Sequence, residues 1–231
     1  MSKVGIVTGT SRGLGWALSE HLLEKGWIVA GCSRLAKGPI HKRYRHFQLD
    51  IADEPKVIAM IRQVATIQGR IDALVNNAGI ASMNSLLLTP TAVAENLMRV
   101  NYLGAFVFLR ECAKIMVRQR MGRIVNLSTV AVPLSLQGEA AYVASKAALE
   151  ALTRVGSVEL KPYGITVNAI GPGPVDTALT RTVPRNKIDA LNRRIGRTEM
   201  GSTTEVVESI MRFLNDQSGG HTGQVVYLGA V

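Results

Sequence analysis

Acidic residues are in short supply: 17 Asp and Glu stand against 27 Lys and Arg in 231 residues, a formal net charge of +10. That imbalance favours acidic or phosphate-bearing partners. Aromatics make up only 5% of the chain, and no nucleic-acid motif accompanies the charge, so a nucleic-acid partner is not expected. Cysteine is nearly missing. Cys32 and Cys112 have neither metal-ligand nor redox spacing, which excludes a disulfide scaffold and leaves free buried thiols, with no metal site expected. No apolar run approaches the roughly 18 residues of a membrane span, and the chain enters a strand without a signal-peptide pattern. The expectation is a soluble, cytoplasmic protein with no membrane partner. Proline is sparse, at 8 residues, while hydrophobic residues reach 47%. Disordered and collagen-like classes are therefore excluded, and residues 1–231 are expected to form a single domain.

What is present is organised around residues 4–22, VGIVTGTSRGLGWALSEHL: a β-branched run, a glycine-rich turn, then an amphipathic helix. Such a unit seats a dinucleotide pyrophosphate on the unpaired N–H groups of the helix start. Gly9 lets the chain turn out of the strand, Gly13 lets backbone approach phosphate, and Gly15 allows close packing. The cofactor-lining positions expected here are Gly9, Ser11, Arg12, Gly13, Leu14 and Gly15. The remaining sequence alternates. Strand-like segments lie at 3–8, 27–32, 45–49, 71–75, 124–127, 165–170 and 224–228. Helical spacing marks 14–25, 55–67, 91–118 with one break, 139–160 and 203–214. Regular β-α alternation predicts an α/β Rossmann-type fold, a doubly wound parallel sheet with helices on both faces and the ligand at the carboxyl ends of the strands.

The end of the second strand distinguishes dinucleotides, because a carboxylate there takes the ribose 2′-hydroxyl whereas arginine accommodates a 2′-phosphate. The chain reads Cys32-Ser33-Arg34 at this place. Ser33 does not repel a phosphate, Arg34 can hydrogen-bond one, and Arg12 adds a second positive charge, so NADP(H) is the expected cofactor. After the fourth strand, Asn76-Asn77-Ala78-Gly79 suits a turn where backbone passes close to the cofactor while side-chain amides brace neighbouring strands. Asn77, Ala78 and Gly79 join the cofactor-binding set. In Tyr142-Val143-Ala144-Ser145-Lys146 the tyrosine and lysine share one helix face. Positive charge beside a phenol stabilises phenolate, bringing a group of pKa about 10 toward use as an acid-base catalyst.

With Thr-Gly-x-x-x-Gly-x-Gly at 8–15, NNAG at 76–79, Tyr142 and Lys146, and Ile170-Gly171-Pro172-Gly173-Pro174-Val175-Asp176-Thr177 all in order, the chain resembles the short-chain dehydrogenases/reductases over nearly its full length. Within them it is most similar to the 3-oxoacyl-carrier-protein reductases. The resemblance implies Tyr142 as proton donor, Lys146 on the nicotinamide ribose lowering the tyrosine pKa, and Asn101 holding a water in the proton relay. It implies Asp50 and Ile51 at the adenine, and Pro172, Val175 and Thr177 at the nicotinamide carboxamide. A substrate-binding loop and helix are expected at about 178–201, and a homotetramer or homodimer as the assembly.

Several positions depart from the family's pattern. The serine expected thirteen residues before the tyrosine is Thr129, with Ser128 just before it; neighbours on a strand point to opposite faces, so Thr129 is the expected catalytic hydroxyl. Val132-Pro133 replaces a usual glycine, and the C-terminus lacks the usual Asp-Gly-Gly. Arg120 matches a position that carrier-protein reductases use for docking, but the second such position is Tyr163; Lys161 and the basic residues from Arg181 to Arg197 are the compensating candidates. The functional reading is an NADPH-dependent carbonyl reductase acting on a small or carrier-bound carbonyl substrate. The alternative is an NADP-binding sensor or scaffold of the same fold that turns over nothing.

Overall fold

Short runs of β-branched and other apolar residues become strands whose two faces are both covered. The structure, a computed structural model, describes residues 2–177, 180–181, 183–215 and 220–231. Its strands are β1 (Val4–Thr8), β2 (Ile28–Ser33), β3 (Tyr44–Gln48), β4 (Ala73–Asn76), β5 (Gly122–Leu127), β6 (Ile165–Pro172) and β7 (Val225–Leu228). They form one sheet in the order β3-β2-β1-β4-β5-β6-β7, every pairing parallel. Side-chain alternation divides the core. Val4 and Ile6 of β1 join the cluster on one face, while Val7 joins the other.

Helices α1 (Gly13–Glu24), α2 (Glu54–Gln68), α3 (Thr91–Met98), α4 (Ala105–Gln119), α5 (Ala131–Leu134), α6 (Ala140–Leu160), α7 (Arg185–Arg194) and α8 (Thr203–Leu214) complete the chain. Leu18 and Leu22 of α1 pack with Val206, Ile210 and Leu214 of α8 on one face. Met60 and Val64 of α2 pack with Phe108, Cys112 and Met116 of α4 on the other. Both cysteines are buried and free. Among the described residues no helix is long and apolar enough to cross a membrane.

The chain order reverses between β1 and β4, which opens a crevice at their carboxyl ends. Every cofactor candidate named from the sequence lies along that crevice. The break expected within 91–118 is a π-helical segment, Arg99–Gly104, between α3 and α4. The third strand, expected at 45–49, is β3 at Tyr44–Gln48 and takes in Tyr44, Arg45 and His46 of the basic stretch at 41–46. The Tyr44 hydroxyl bonds Thr10 Oγ1 and His46 Nδ1, each at 2.8 Å, so this edge strand is tied to the nucleotide turn. The expected substrate region contains α7, while residues 178, 179 and 182 lie outside the described residues.

Candidate active site

Gly9 and Gly15 shape one end of the crevice. Gly9 has φ of +77°, and a Cβ there would lie 2.9 Å from Asn77 Nδ2; a Cβ on Gly15 would come within hard contact of the Gly9 carbonyl oxygen. No side chain fits at either place. The Gly9 N–H donates to the Cys32 carbonyl at 2.8 Å, and Arg12 precedes α1 without a side-chain cap, leaving the first-turn N–H groups directed outward. Asn77 braces this turn: its Nδ2 donates to the Thr8 carbonyl at 2.8 Å, and the Asn77 and Ala78 N–H groups both donate to Thr8 Oγ1, at 3.0 and 2.9 Å. The amides expected to tie neighbouring strands do so, joining β4 to β1.

The crevice opens into a cleft of about 1130 Å³. Gly9, Ser11, Arg12, Gly13, Leu14 and Gly15 line it at the glycine turn, with Ser33 and Arg34 beyond β2. Arg12 and Arg34 are exposed and carry no ion pair among the described residues. Ser33 Oγ donates to the Leu35 carbonyl at 2.7 Å, fixing the loop that carries Arg34. Asp50 lines the same end, its carboxylate accepting the Ala52 N–H at 3.0 Å and standing 3.7 Å from Arg99 Nη1; Ile51 lies beside it. Asn77, Ala78 and Gly79 line the middle, and Pro172, Val175 and Thr177 close the far side. These residues suit a dinucleotide: a side-chain-free cradle at a helix start, two unpaired guanidinium groups, and sufficient volume.

Tyr142, Lys146 and Thr129 meet on one wall. Tyr142 and Lys146 are four apart on α6, 7% and 4% exposed, and Lys146 Nζ donates to the Leu127 carbonyl at 2.7 Å. Thr129 follows the end of β5 and lines the cleft together with Tyr142, its Oγ1 accepting the Ala131 N–H at 3.2 Å. Ser128 points away, its Oγ donating to Glu150 at 2.5 Å. Burial pushes Tyr142 up to about 12; the Glu139 charge adds to that rise and the Thr129 hydroxyl opposes it. Burial also lowers Lys146 to about 8. The lowered phenol pKa expected from the lysine is thus not produced by the chain's own groups, because desolvation of Tyr142 outweighs them.

Asn101 lies behind this wall in the π-helical segment, 1% exposed. Its Oδ1 accepts the Ile80 N–H at 2.9 Å, and its Nδ2 donates to the Ile80 carbonyl at 2.9 Å and Ser145 Oγ at 3.0 Å. Both amide protons are committed. The Val132-Pro133 departure forms α5, one helical turn that ends at Ser135 with φ of +49°.

The remaining cleft is lined by Ile188 and Leu191 of the expected substrate region and by residues that the sequence left unassigned, among them Met83, Leu136 and Glu139. Lys187 and Arg194, seven apart on α7, line it too; Lys187 Nζ lies 3.5 Å from Met83 Sδ within the field of the Glu139 carboxyl, and Arg194 donates to the Leu134 carbonyl at 2.9 Å. Their neighbours are largely neutralised. Arg181 pairs with Asp176, Arg185 with Asp189 and Arg197 with Glu205. Arg120 is exposed, and its guanidinium donates to the Pro162 carbonyl beside Tyr163. Among the described residues no group of three or more His, Cys, Asp or Glu is placed to hold a metal.

Comparisons with known proteins agree with this geometry. Residues 3–188 match the family model described as short chain dehydrogenase. A 3-oxoacyl-acyl-carrier-protein reductase, FabG, of Staphylococcus aureus is 32% identical, with 99% of this chain and 97% of the relative covered. An uncharacterized oxidoreductase of Bacillus subtilis, YxjF, is 29% identical over 98% of this chain and 96% of its own. Among solved structures, ElxO with NADP bound superposes with a TM-score of 0.91 at 27% identity, covering 98% of this chain and 97% of that one.

Proposed function

The chain belongs to the short-chain dehydrogenase family, and from that premise we propose that it is an NADPH-dependent carbonyl reductase. One observation carries the reading: the Thr129 hydroxyl, the Tyr142 phenol and the Lys146 ammonium share one wall of a cleft whose other end is a side-chain-free cradle at a helix start. The cofactor of ElxO, whose structure holds NADP, supports the dinucleotide assignment. Arg12 and Arg34 hold the 2′-phosphate, the glycine turn the pyrophosphate, Asp50 and Ile51 the adenine, and Pro172, Val175 and Thr177 the carboxamide. When bound there, NADPH would supply the hydride that a carbonyl carbon needs for reduction.

Thr129 donates to the carbonyl oxygen and orients it, and Tyr142 delivers the proton that turns that oxygen into a hydroxyl. A phenol near 12 is fully protonated at neutral pH, the form a proton donor must have. Lys146 holds the nicotinamide ribose and places positive charge beside the phenolate as it forms. Asn101, with both amide protons committed to Ile80 and Ser145, has only acceptor oxygen left to offer the water that would return a proton to Tyr142. The substrate is a small ketone or a carrier-bound 3-oxoacyl group, the latter supported by the Staphylococcus aureus relative. Val155 and Val158 on α6, 56% and 73% exposed, with Leu103 at 50%, supply an apolar face for a homotetramer or homodimer.

Incubation with NADPH or NADH and a panel of carbonyl compounds, including 3-oxoacyl groups on an acidic carrier protein, tests the reading. NADPH should be consumed with at least one of them. If the carrier is the partner, the rate on carrier-bound substrate should fall steeply with salt while that on a small ketone holds. NADPH binding without turnover across the panel, unrelieved by Thr129→Ser, would assign the chain to the sensor or scaffold class instead.

A further inference from the structure

Two turns beyond Tyr142 on α6, Glu150 is a buried carboxylate that the reduction chemistry does not use. It is 2% exposed, and it accepts Ser128 Oγ at 2.5 Å and the Tyr227 hydroxyl at 2.9 Å on each oxygen. Arg154, one turn further on and more than half exposed, reaches it at 3.3 Å. Burying a carboxylate is costly, and well-packed apolar residues often serve stability as well or better. Stability alone therefore gives no reason for an acid at this place.

The contacts of α6 supply one. Tyr142, Lys146 and Glu150 recur at four-residue spacing on one face of the helix. Tyr142 shares the cleft wall with Thr129, Lys146 donates to the Leu127 carbonyl, and Glu150 accepts from Ser128 Oγ. The two residues ahead of Thr129 are each held by a different turn of the same helix. From the opposite side, the Ser128 N–H donates to the Ile170 carbonyl at 2.7 Å and the Val130 N–H to the Pro172 carbonyl at 3.1 Å. Thr129 thus lies between two pinned neighbours, and the pin on Ser128 that comes from α6 is Glu150.

We propose that Glu150 is a positioning residue, acting through Ser128 to hold the end of β5 so that Thr129 keeps its place beside Tyr142 on the cleft wall. The inference rests on the reductase reading of the site. It gives the Ser128-Thr129 pair two separate tasks: Thr129 faces the cleft, and Ser128 anchors the strand end to the helix. A displacement of about 1 Å at a reacting group costs on the order of a hundredfold in rate, so the anchor acts on kcat.

The test uses the full chain with Ser128→Ala, Glu150→Leu, Glu150→Gln and Arg154→Ala, measuring kcat, KM, NADPH Kd and melting temperature. Ser128→Ala and Glu150→Leu should each lower kcat by roughly ten- to a hundredfold, with KM and NADPH Kd within about twofold. The double variant should be no worse than the more damaged single one, because the two residues act as a unit. Glu150→Gln keeps an acceptor for Ser128 and should recover most of kcat; Arg154→Ala should leave kcat unchanged. If Glu150→Leu does not fold, Ser128→Ala decides. Wild-type kcat in Ser128→Ala, or losses that add in the double variant, would overturn the proposal. Should wild type reduce no carbonyl, the reductase reading falls on its own account, and amide hydrogen exchange decides the positioning claim. Both variants should speed exchange at Ser128 and Val130 while leaving Ile6 in β1 alone, and unchanged exchange at Ser128 and Val130 would refute it.

Discussion

Thr129 and Ser128 both carry hydroxyls, and their surroundings divide the work between them: one lines the cleft with Tyr142, the other bonds Glu150. Thr129→Val keeps the shape and deletes the donor. It should lower kcat/KM by on the order of ten- to a thousandfold, while Thr129→Ser stays active, as steady-state kinetics on one substrate would read. Arg34 makes an analogous argument for the cofactor. A charge-assisted hydrogen bond to the 2′-phosphate is worth about 1.5–3 kcal/mol, so NADPH should bind roughly ten- to a hundredfold tighter than NADH, and Arg34→Ala should remove most of that preference in a direct titration. Lys146 links the site to stability. Burial holds its ammonium at about 8 against the ordinary 10.5, so the charged form costs the folded state about 3 kcal/mol at pH 7. The folded-state pKa lies below the unfolded one. The cost is therefore full below about 8 and fades as pH rises toward 10.5. Lys146→Met removes it but leaves the Leu127 carbonyl unpaired, a loss of about 1–2 kcal/mol. The variant should be about 1–2 kcal/mol more stable than wild type at pH 7, and the gap should close or reverse by pH 10 in denaturant titrations. A gap that does not vary with pH would contradict the burial argument.

Elements whose residues follow one period were legible in the sequence, and those that change period were not. Helix α8 runs over Thr203–Leu214, the bounds its apolar spacing predicts, with Ser202 Oγ capping the Glu205 N–H at 3.1 Å. Ser202→Ala should cost about 1 kcal/mol in thermal melts and leave turnover intact. The glycine turn, the Asn76–Gly79 turn and the Tyr142/Lys146 pair were equally readable, because backbone geometry and helix spacing dictate those residue types directly. The π-helical segment was visible only as a break. Its wider turn carries Asn101 to Ile80 and Ser145, a displacement that hydrophobic spacing does not encode. Helix α5 was missed because Val132-Pro133 reads only as a replaced glycine, and α7 is expected only from the resemblance, within about 178–201, because its sequence, RNKIDALNRR, buries just Ile188 and Asn192 and shows little apolar spacing. Glu150 was invisible for another reason. Within α6 its periodicity marks it as inward-facing, but only the fold brings Ser128 from β5 and Tyr227 from β7 to meet it.

For the whole molecule, the reversal of strand order between β1 and β4 gathers residues from distant parts of the chain into one cleft. The charge of +10 is spread unevenly over that frame. Arg181, Arg185 and Arg197 are paired with acids, whereas Arg12 and Arg34 at one end of the cleft have no ion pair among the described residues. Over the other end, Arg194 bonds the neutral Leu134 carbonyl, and Lys187 lies against Met83 with the Glu139 carboxyl in its field. The arrangement places positive charge where a dinucleotide phosphate and an anionic substrate arm would enter. If this cleft both binds NADPH and reduces a carbonyl through Tyr142, Tyr142→Phe separates the two. Measured side by side with wild type, that variant should bind NADPH within about twofold, since the hydroxyl makes one contact among many, yet lose carbonyl reduction by at least a hundredfold. Reduction that persists at the wild-type rate in Tyr142→Phe would contradict the account.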